Sequence, residues 1–523
     1  MSIIDLIKRR EFKEAELLAV KEFNHNKRSI ISSNTLGFVY LVRQKIKQAI
    51  ETYLNSLDLD QNDFEANNNL ADLYLKIEEI EKSRIYATKA KQLKKDSPSP
   101  LVIMAQITMK EKKYNEAKRF IEEAINLLPN GIENNSYLKI LYCDTMLANN
   151  EKDKCLNFIS KCQNEKLDIN LSLYHSTVST DSISKNEIKH AEDIKKNINL
   201  SHIGNRHIKK TEISALYFLG NIFDKLDKKK SENLFFEANE LASKIQEFKP
   251  LMSQKYSERI IKLFSTDFKK FTSPKVEDNN RYIFIIGMPR SGTTLTESII
   301  STFRSVFPGG EMHSMASLCR ESYLIDGFEL NEKFFLDINE SYSRRANYLK
   351  GEKLFFTDKL PNNYFHLGYI KCAFPNAKVI SVTRNRWDIA TSIYKQFYVD
   401  NIRYSTKFFN IALQIANYEA LMNFWSKKID EYSDFVYEIR YEDLVINTEE
   451  YSRKIANFIG IDEKIDLSQR SYYFSETASK SQVNQNIYRK SLNKEAFGDY
   501  FELFQDSYLA QIDFWKEKYG IFI

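Results

Sequence analysis

Small and apolar residues recur along the front of the chain at a fixed interval. Ala15, Ala49, Ser83 and Ala117 are each 34 residues apart, and so are Ser56, Ala90 and Ala124. Gly37, Ala71 and Ala105 form a third row with the same spacing, preceded by Leu36, Leu70 and Met104; Pro129 follows the last copy. Such a period predicts a pair of antiparallel helices per repeat, with small side chains where helices approach closely. A unit of that kind cannot bury its apolar face alone, so neighbours stack into a solenoid. After about residue 130 the register slips. Residues 137–161 read as a shifted pair, and 214–245 again show a leucine–glycine step, Leu219-Gly220, with helical spacing. The polar stretch 165–212 is expected to be helical.

The texture then changes. RYIFIIG (281–287) is a continuous apolar run rich in β-branched and aromatic residues, which predicts a strand buried on both faces. LTESIISTF after it has helical periodicity. KVISVTR reads as a second buried strand with WDIATSIYKQF as its helix, the run before Lys359 as another, and YEIR as one entering an acidic turn. Glu442 and Asp443 are expected to cap the helix after that turn. The expected architecture is an all-α repeat solenoid (1–165), further helical repeats or linker (166–270), and an α/β domain on a largely parallel sheet (275–523).

Composition narrows the class. A chain of 523 residues is too long for one ordinary core, and few glycines (14) and prolines (9) favour a mainly helical protein. The net charge of +5 suits an anionic ligand but is too small and dispersed for nucleic acid. Five cysteines without a CxxC pair read as buried thiols rather than a disulfide framework or a zinc site. The N-terminal stretch has charges interrupting every apolar run, and no later run reaches about 18 apolar residues. A cytoplasmic protein without a membrane segment is the resulting expectation.

Between the first strand and its helix lies Gly287-Met-Pro-Arg-Ser-Gly-Thr-Thr294. Strand, glycine-bounded loop and helix form the layout that turns backbone N–H groups toward a phosphate. Gly287 and Gly292 match the spacing of the nucleotide-triphosphatase loop, and Thr294 takes its hydroxyl position. Thr293 stands where that loop has its lysine, which argues against an ATPase or kinase. Arg290 supplies a charge instead. Arg384 ends a strand, and Ser392 follows on the helix beyond it; ligands collect at such carboxyl ends.

The 34-residue pattern resembles the tetratricopeptide repeat, though its usual tryptophan is absent and the first copy is degenerate. PRSGTTL is similar to the 5′-phosphosulfate loop of the sulfotransferase superfamily, and residues 280–500 resemble the tyrosylprotein-sulfotransferase type. The resemblance implies 3′-phosphoadenosine-5′-phosphosulfate (PAPS) as donor and 3′-phosphoadenosine-5′-phosphate (PAP) as product. Arg290, Ser291, Gly292, Thr293 and Thr294 would surround the 5′ end, Arg384 and Ser392 the 3′-phosphate, and Tyr441 the nucleotide. It also maps Ser479 to Tyr488 onto a segment draped over the nucleotide and Lys494 onto a 3′-phosphate lysine. Glu495 replaces the family's tryptophan, and Gln396 replaces a basic residue.

Sulfuryl transfer needs a base, a cation at the leaving oxygen and donors for the peripheral oxygens. For the base, Glu311 in VFPGGEMHSM matches the position of the family's catalytic glutamate, with His313 as rival. Arg290 and Lys359 are candidates for the leaving group, and Ser479 for the sulfuryl oxygens. No His/Cys/Asp constellation points to a metal. The acceptor hydroxyl stays open between protein tyrosine, a glycan and a small metabolite. A repeat groove that recruits a protein partner is weighed against a mere scaffold. The alternative from another class is a repeat-based binding module with an inactive, nucleotide-holding domain.

Overall fold

The computed structural model describes residues 2–522 except 10, 129–131, 199–208, 266–267, 269–270, 272–280, 326, 399–401 and 473–496. They divide into two compact units, Met1–Thr145 and Met146–Ile523.

The first unit is a succession of helix pairs: Ile30–Val42 with Ile46–Leu59, Phe64–Lys76 with Ile80–Leu93, and Ser99–Lys110 with Tyr114–Asn126. Every member of the three small-residue rows is buried. The reason is steric. A Cβ added at Gly37 would stand 2.8 Å from the Tyr53 ring of the paired helix. The Ser83 hydroxyl donates to the Ala71 carbonyl at 2.7 Å, tying the two rows of one repeat together. Each pair turns through a residue with positive φ, and these residues, Gln44, Glu78 and Lys112, keep the same period. The helices Lys210–Phe223 and Lys228–Ile245 reproduce the device. Gly220 lies under the Phe235 ring, and Ser231 Oγ donates to the Gly220 carbonyl at 2.8 Å.

The second unit is built on a five-stranded sheet, β1 (Arg281–Gly287), β2 (Val306–Pro308), β3 (Phe355–Asp358), β4 (Lys378–Thr383) and β5 (Val436–Arg440). Its order is β2-β3-β1-β4-β5, and every pairing is parallel. Successive side chains of β1 point to opposite faces. Ile283 and Ile285 enter one apolar layer with Ile299, Ile300, Ile455 and Ile459. Tyr282, Phe284 and Ile286 enter the other with Phe264, Leu421 and Trp425. That second layer also contains residues of the helices Lys210–Phe223, Lys228–Ile245 and Pro250–Phe264, so these helices share a core with the sheet. In the polar stretch, Ile169–Val178 and Lys185–Lys196 are helices, as expected. All five cysteines are buried, and none forms a disulfide among the described residues.

Candidate active site

Because the sheet is parallel, the five loops beyond its carboxyl ends lie on one side of the domain. β1 leads into residues 288–292, β2 into Gly309-Gly310-Glu311, β3 into Lys359, β4 into Arg384 and β5 into Tyr441. Registers align these ends: Gly287 pairs with Val382, and Thr383 with Arg440.

The loop after β1 needs unusual backbone. Arg290 has φ of 71° and Gly292 of 111°. A Cβ at Gly292 would collide with the Tyr441 ring, so only glycine lets the loop pass beneath it. Gly292 is the N-cap of the helix Thr293–Ile300 and brings no side chain to its first turn, where the N–H groups lack helical partners. Ser291, Thr293 and Thr294 are buried, and Ser291 Oγ has no hydrogen-bond partner among the described residues.

Arg290 joins the loop to the helix Arg386–Tyr394, its Nε donating to Ser392 Oγ at 2.9 Å. Arg384 Nη1 donates to the Arg290 carbonyl at 3.2 Å, and its guanidinium lies 4.6 Å from the Tyr441 ring centre. Asp388 Oδ2 stands 3.7 Å from Arg384 Nη2. Arg290, Arg384, Ser392 and Tyr441 therefore form one group, with Ser392 bonded to Arg290 rather than directly to Arg384. Asn385 caps the helix behind them through its Oδ1. Glu442 does not cap its own helix. Its Oε1 accepts from the Asn385 backbone N–H at 2.9 Å and so ties β5 to the turn after β4.

A second group forms on the β2–β3 side. Lys359 is buried, and its Nζ donates to Glu311 Oε1 at 2.9 Å. The Glu311 side chain keeps 33% of its surface exposed. Backbone contacts on both sides fix this loop: Lys359 N–H donates to the Gly310 carbonyl at 2.7 Å, and Gly309 N–H to the Thr357 carbonyl at 3.0 Å. Two buried carboxylates complete the arrangement. Glu297 Oε1 accepts from Gly310 N–H at 3.0 Å and from Thr357 Oγ1 at 2.5 Å. Asp358 Oδ1 accepts from Met312 N–H at 3.4 Å, and its Oδ2 from the Tyr342 hydroxyl at 3.1 Å. The peptide units flanking Glu311 are thus held from both sides. His313 lies exposed at the start of the short helix Ser314–Leu318. His366, on the turn after Lys359, is buried, and burial pushes its imidazole down to about 3, so it is neutral at neutral pH.

Ser479, Tyr488 and Lys494 lie outside the described residues. Sequence reasoning missed Glu297 and Asp358, although the spacing of Asp358 beside Lys359 at a strand's end was a usable signal. Among the described residues no cluster of His, Cys, Asp and Glu is gathered to hold a metal ion, and no helix is long and apolar enough to cross a membrane.

Residues 282–465 match the model of a sulfotransferase family, 37–77 a TPR repeat model and 64–97 a tetratricopeptide repeat model. An uncharacterized protein of Aquifex aeolicus is 29% identical over 307 residues, 55% of this chain and 40% of that protein. The protein-tyrosine sulfotransferase 1 of Danio rerio is 25% identical over 204 residues, 34% of this chain and 53% of its own length. The chain thus spans about half the length, or less, of these relatives. Among solved structures, the sulfotransferase domain of a Synechococcus olefin synthase is 16% identical with a TM-score of 0.31, covering 45% of this chain and 96% of that one. A tetratricopeptide repeat protein of Parabacteroides merdae is 13% identical with a TM-score of 0.33, covering 46% and 90%. The chain carries an N-terminal tetratricopeptide-like repeat region and a C-terminal sulfotransferase-family domain.

Proposed function

We propose that the C-terminal domain transfers a sulfuryl group from PAPS to an acceptor hydroxyl. The observation that carries this reading is the meeting of Arg290, Arg384 and Ser392 at the strand ends, on the side where Lys359 and Glu311 pair. The residues fit an anionic ligand: a buried Ser291 hydroxyl without a partner among the described residues, open helix N–H groups and two guanidinium groups. Ser291, Gly292, Thr293 and Thr294 would hold the 5′ end of the donor, Arg384 and Ser392 the 3′-phosphate, and Tyr441 the nucleotide. Ser479, Tyr488 and Lys494 complete the set by resemblance.

A bound donor supplies the activated sulfuryl group and an anionic leaving group. Everything else falls to the chain. Glu311 receives the acceptor's proton, Lys359 orients Glu311 and offers charge to the leaving oxygen, and Arg290 neutralises the transferring end. The acceptor is a protein tyrosine, a glycan or a small molecule, and the repeats offer a groove to a protein partner.

Calorimetric titration with PAP tests the reading. Micromolar binding is expected, weakened roughly tenfold to a hundredfold in Arg384→Ala by loss of charge-assisted bonds, with no comparable binding of ATP. No binding of PAP would transfer the lead to a repeat-based binding module whose second domain is inactive.

A further inference from the structure

Three side chains of the polar stretch 165–212 meet in an arrangement that sulfuryl transfer does not use. His175 lies on the helix Ile169–Val178, Ser182 ends the short turn Thr180–Ser182, and Glu187 lies on the helix Lys185–Lys196. Ser182 Oγ stands 2.8 Å from His175 Nε2, and His175 Nδ1 stands 3.1 Å from Glu187 Oε1. His175 and Glu187 are buried, whereas Ser182 is exposed. A hydroxyl within reach of one imidazole nitrogen, with a carboxylate on the other, is the arrangement that activates a nucleophile.

The proton positions follow from the partners. Burial alone would raise the Glu187 carboxyl, but the bonds from His175 and Ser184 outweigh it and hold it below the usual carboxylate range. An ionised carboxylate only accepts, so the Nδ1 facing it carries the proton. The lone pair of the neutral imidazole is then on Nε2, toward Ser182. Helix capping does not account for this bond. Glu187 serves the cap through Oε2, which accepts from Ser184 N–H at 3.0 Å and from Ser184 Oγ at 2.9 Å. Oε1 serves His175 and also accepts from Gln163 Nε2 at 3.2 Å. The Ser182 hydroxyl has a second acceptor in the Ser179 carbonyl, at the longer distance of 3.2 Å. The next helix pair fixes the turn from outside: Asn221 Nδ2 donates to Ser176 Oγ at 3.0 Å, and Lys225 Nζ to Thr180 Oγ1 at 2.9 Å.

We propose that Ser182 and His175, with Glu187 as positioning residue, form a second catalytic centre that hydrolyses small activated carboxylic esters through an acyl–serine intermediate. It stands independently of the sulfotransferase reading. Ser182 Oγ adds to the ester carbonyl while its proton passes to His175 Nε2. The bond to the leaving oxygen then breaks, and that oxygen departs with the electron pair and takes the proton from Nε2. Water attacks the acyl–serine in the same way: its proton goes to Nε2, the bond to Ser182 Oγ breaks, and Oγ recovers the proton as the carboxylic acid leaves. Glu187 stays ionised throughout and keeps Nε2 turned toward the serine. An exposed serine encloses no acyl chain, so reactivity rather than fit selects the substrate: short acyl groups on good leaving groups, such as aryl esters.

The test uses the full-length protein, with p-nitrophenyl acetate for turnover and a fluorophosphonate, located by peptide mass spectrometry, for the nucleophile. Labelling is expected at Ser182. Ser182→Ala, at an exposed position, should lose the label and about a hundredfold or more in turnover. Glu187→Gln keeps an oxygen for the cap and a group of the same size against His175. It should lose about tenfold or more in kcat, with KM little changed and helical content retained. A wild-type protein that takes no label, or takes it at another residue, overturns the proposal, and so does full turnover in Ser182→Ala. Wild-type kcat in Glu187→Gln removes the carboxylate's role and the proposal with it. Should Glu187→Gln lose helical content, the site of labelling and Ser182→Ala decide.

Discussion

Glu297 offers the sharpest test of how the candidate base is held. It is fully buried in the helix after β1, and one oxygen accepts from both Gly310 N–H and Thr357 Oγ1. Glu297→Leu leaves two donors without an acceptor, at about 1–3 kcal/mol each, or roughly 2–6 kcal/mol together. The lower half of that range is expected, because Gly310 borders solvent and can turn toward water. It cannot move inward: a Cβ at neighbouring Gly309 would already collide with the Phe356 ring and the Thr357 carbonyl. The loop therefore shifts outward and draws Glu311 from Lys359. A displacement of about 1 Å in a reacting group costs up to roughly a hundredfold in rate. The assay pairs urea unfolding with PAPS turnover at saturating donor. Glu297→Leu should lower both, while Glu297→Gln, which keeps an acceptor oxygen in place, should recover most of each. Full turnover in Glu297→Leu would refute the positioning argument. Equal damage from Gln and Leu would show that hydrogen-bond acceptance is not what the loop needs.

Two further outcomes can be checked on the same protein. His366 has its folded pKa lowered from 6.5 to about 3 by burial, so below pH 6.5 the unfolded chain takes up a proton that the folded one refuses. Its contribution is complete above that pH and is lost as pH falls toward the folded value, by about 1.4 kcal/mol per unit; urea midpoints at pH 7 and pH 5 should therefore converge in His366→Leu, and an unchanged gap would contradict this. Gly292→Ala places a side chain at φ of 111° and into the Tyr441 ring, so PAP affinity measured by calorimetry should fall by about tenfold or more with the helical content retained; wild-type affinity would show that the loop has slack the geometry denies.

What the sequence made legible follows from how each feature is encoded. The repeats announce themselves because close helix contacts demand small residues at a fixed period, and those rows are buried throughout. β1, β3, β4 and β5 are legible because their runs of apolar residues fit burial on one or both faces. β2 is three residues long and falls below any periodicity. Glu297 stands among threonines and a serine in TTLTESII and reads as a solvent-facing position. Its burial comes from the loop after β2 and from Thr357 of β3, both distant in sequence, closing on it. The bonds from Asn239 to the Tyr394 carbonyl and from Gln246 to the Tyr398 carbonyl are invisible for a related reason: they join segments about 150 residues apart, which no local pattern encodes. The shape of the loop after β1 is legible because glycines at that spacing and a helix start are local requirements. The bonding among Arg290, Arg384 and Ser392 is not, since long side chains choose partners in three dimensions.

The placing of the cations argues for two separate phosphates rather than a contiguous triphosphate. A triphosphatase loop puts its lysine on the first turn of the helix, where it serves the β- and γ-phosphates; here Thr293 stands there. Charge comes instead from Arg290 within the loop and from Arg384 on the adjacent strand end. Each is restrained by part of its guanidinium: Arg290 through Nε to Ser392, Arg384 through Nη1 to the Arg290 carbonyl. A guanidinium is a planar fork of N–H groups, so anchoring of this kind settles beforehand the orientation in which it would meet an anion. Asp388 at 3.7 Å from Arg384 balances its charge at a distance too long for a hydrogen bond, which a phosphate could outcompete. Two arginines linked through a backbone carbonyl, one within the loop and one against the Tyr441 ring, set two cationic groups side by side at the strand ends rather than one on the helix. That is the physical basis for expecting PAP to bind and ATP to bind poorly, and moving the charge back onto the helix, as in Thr293→Lys, should narrow the difference.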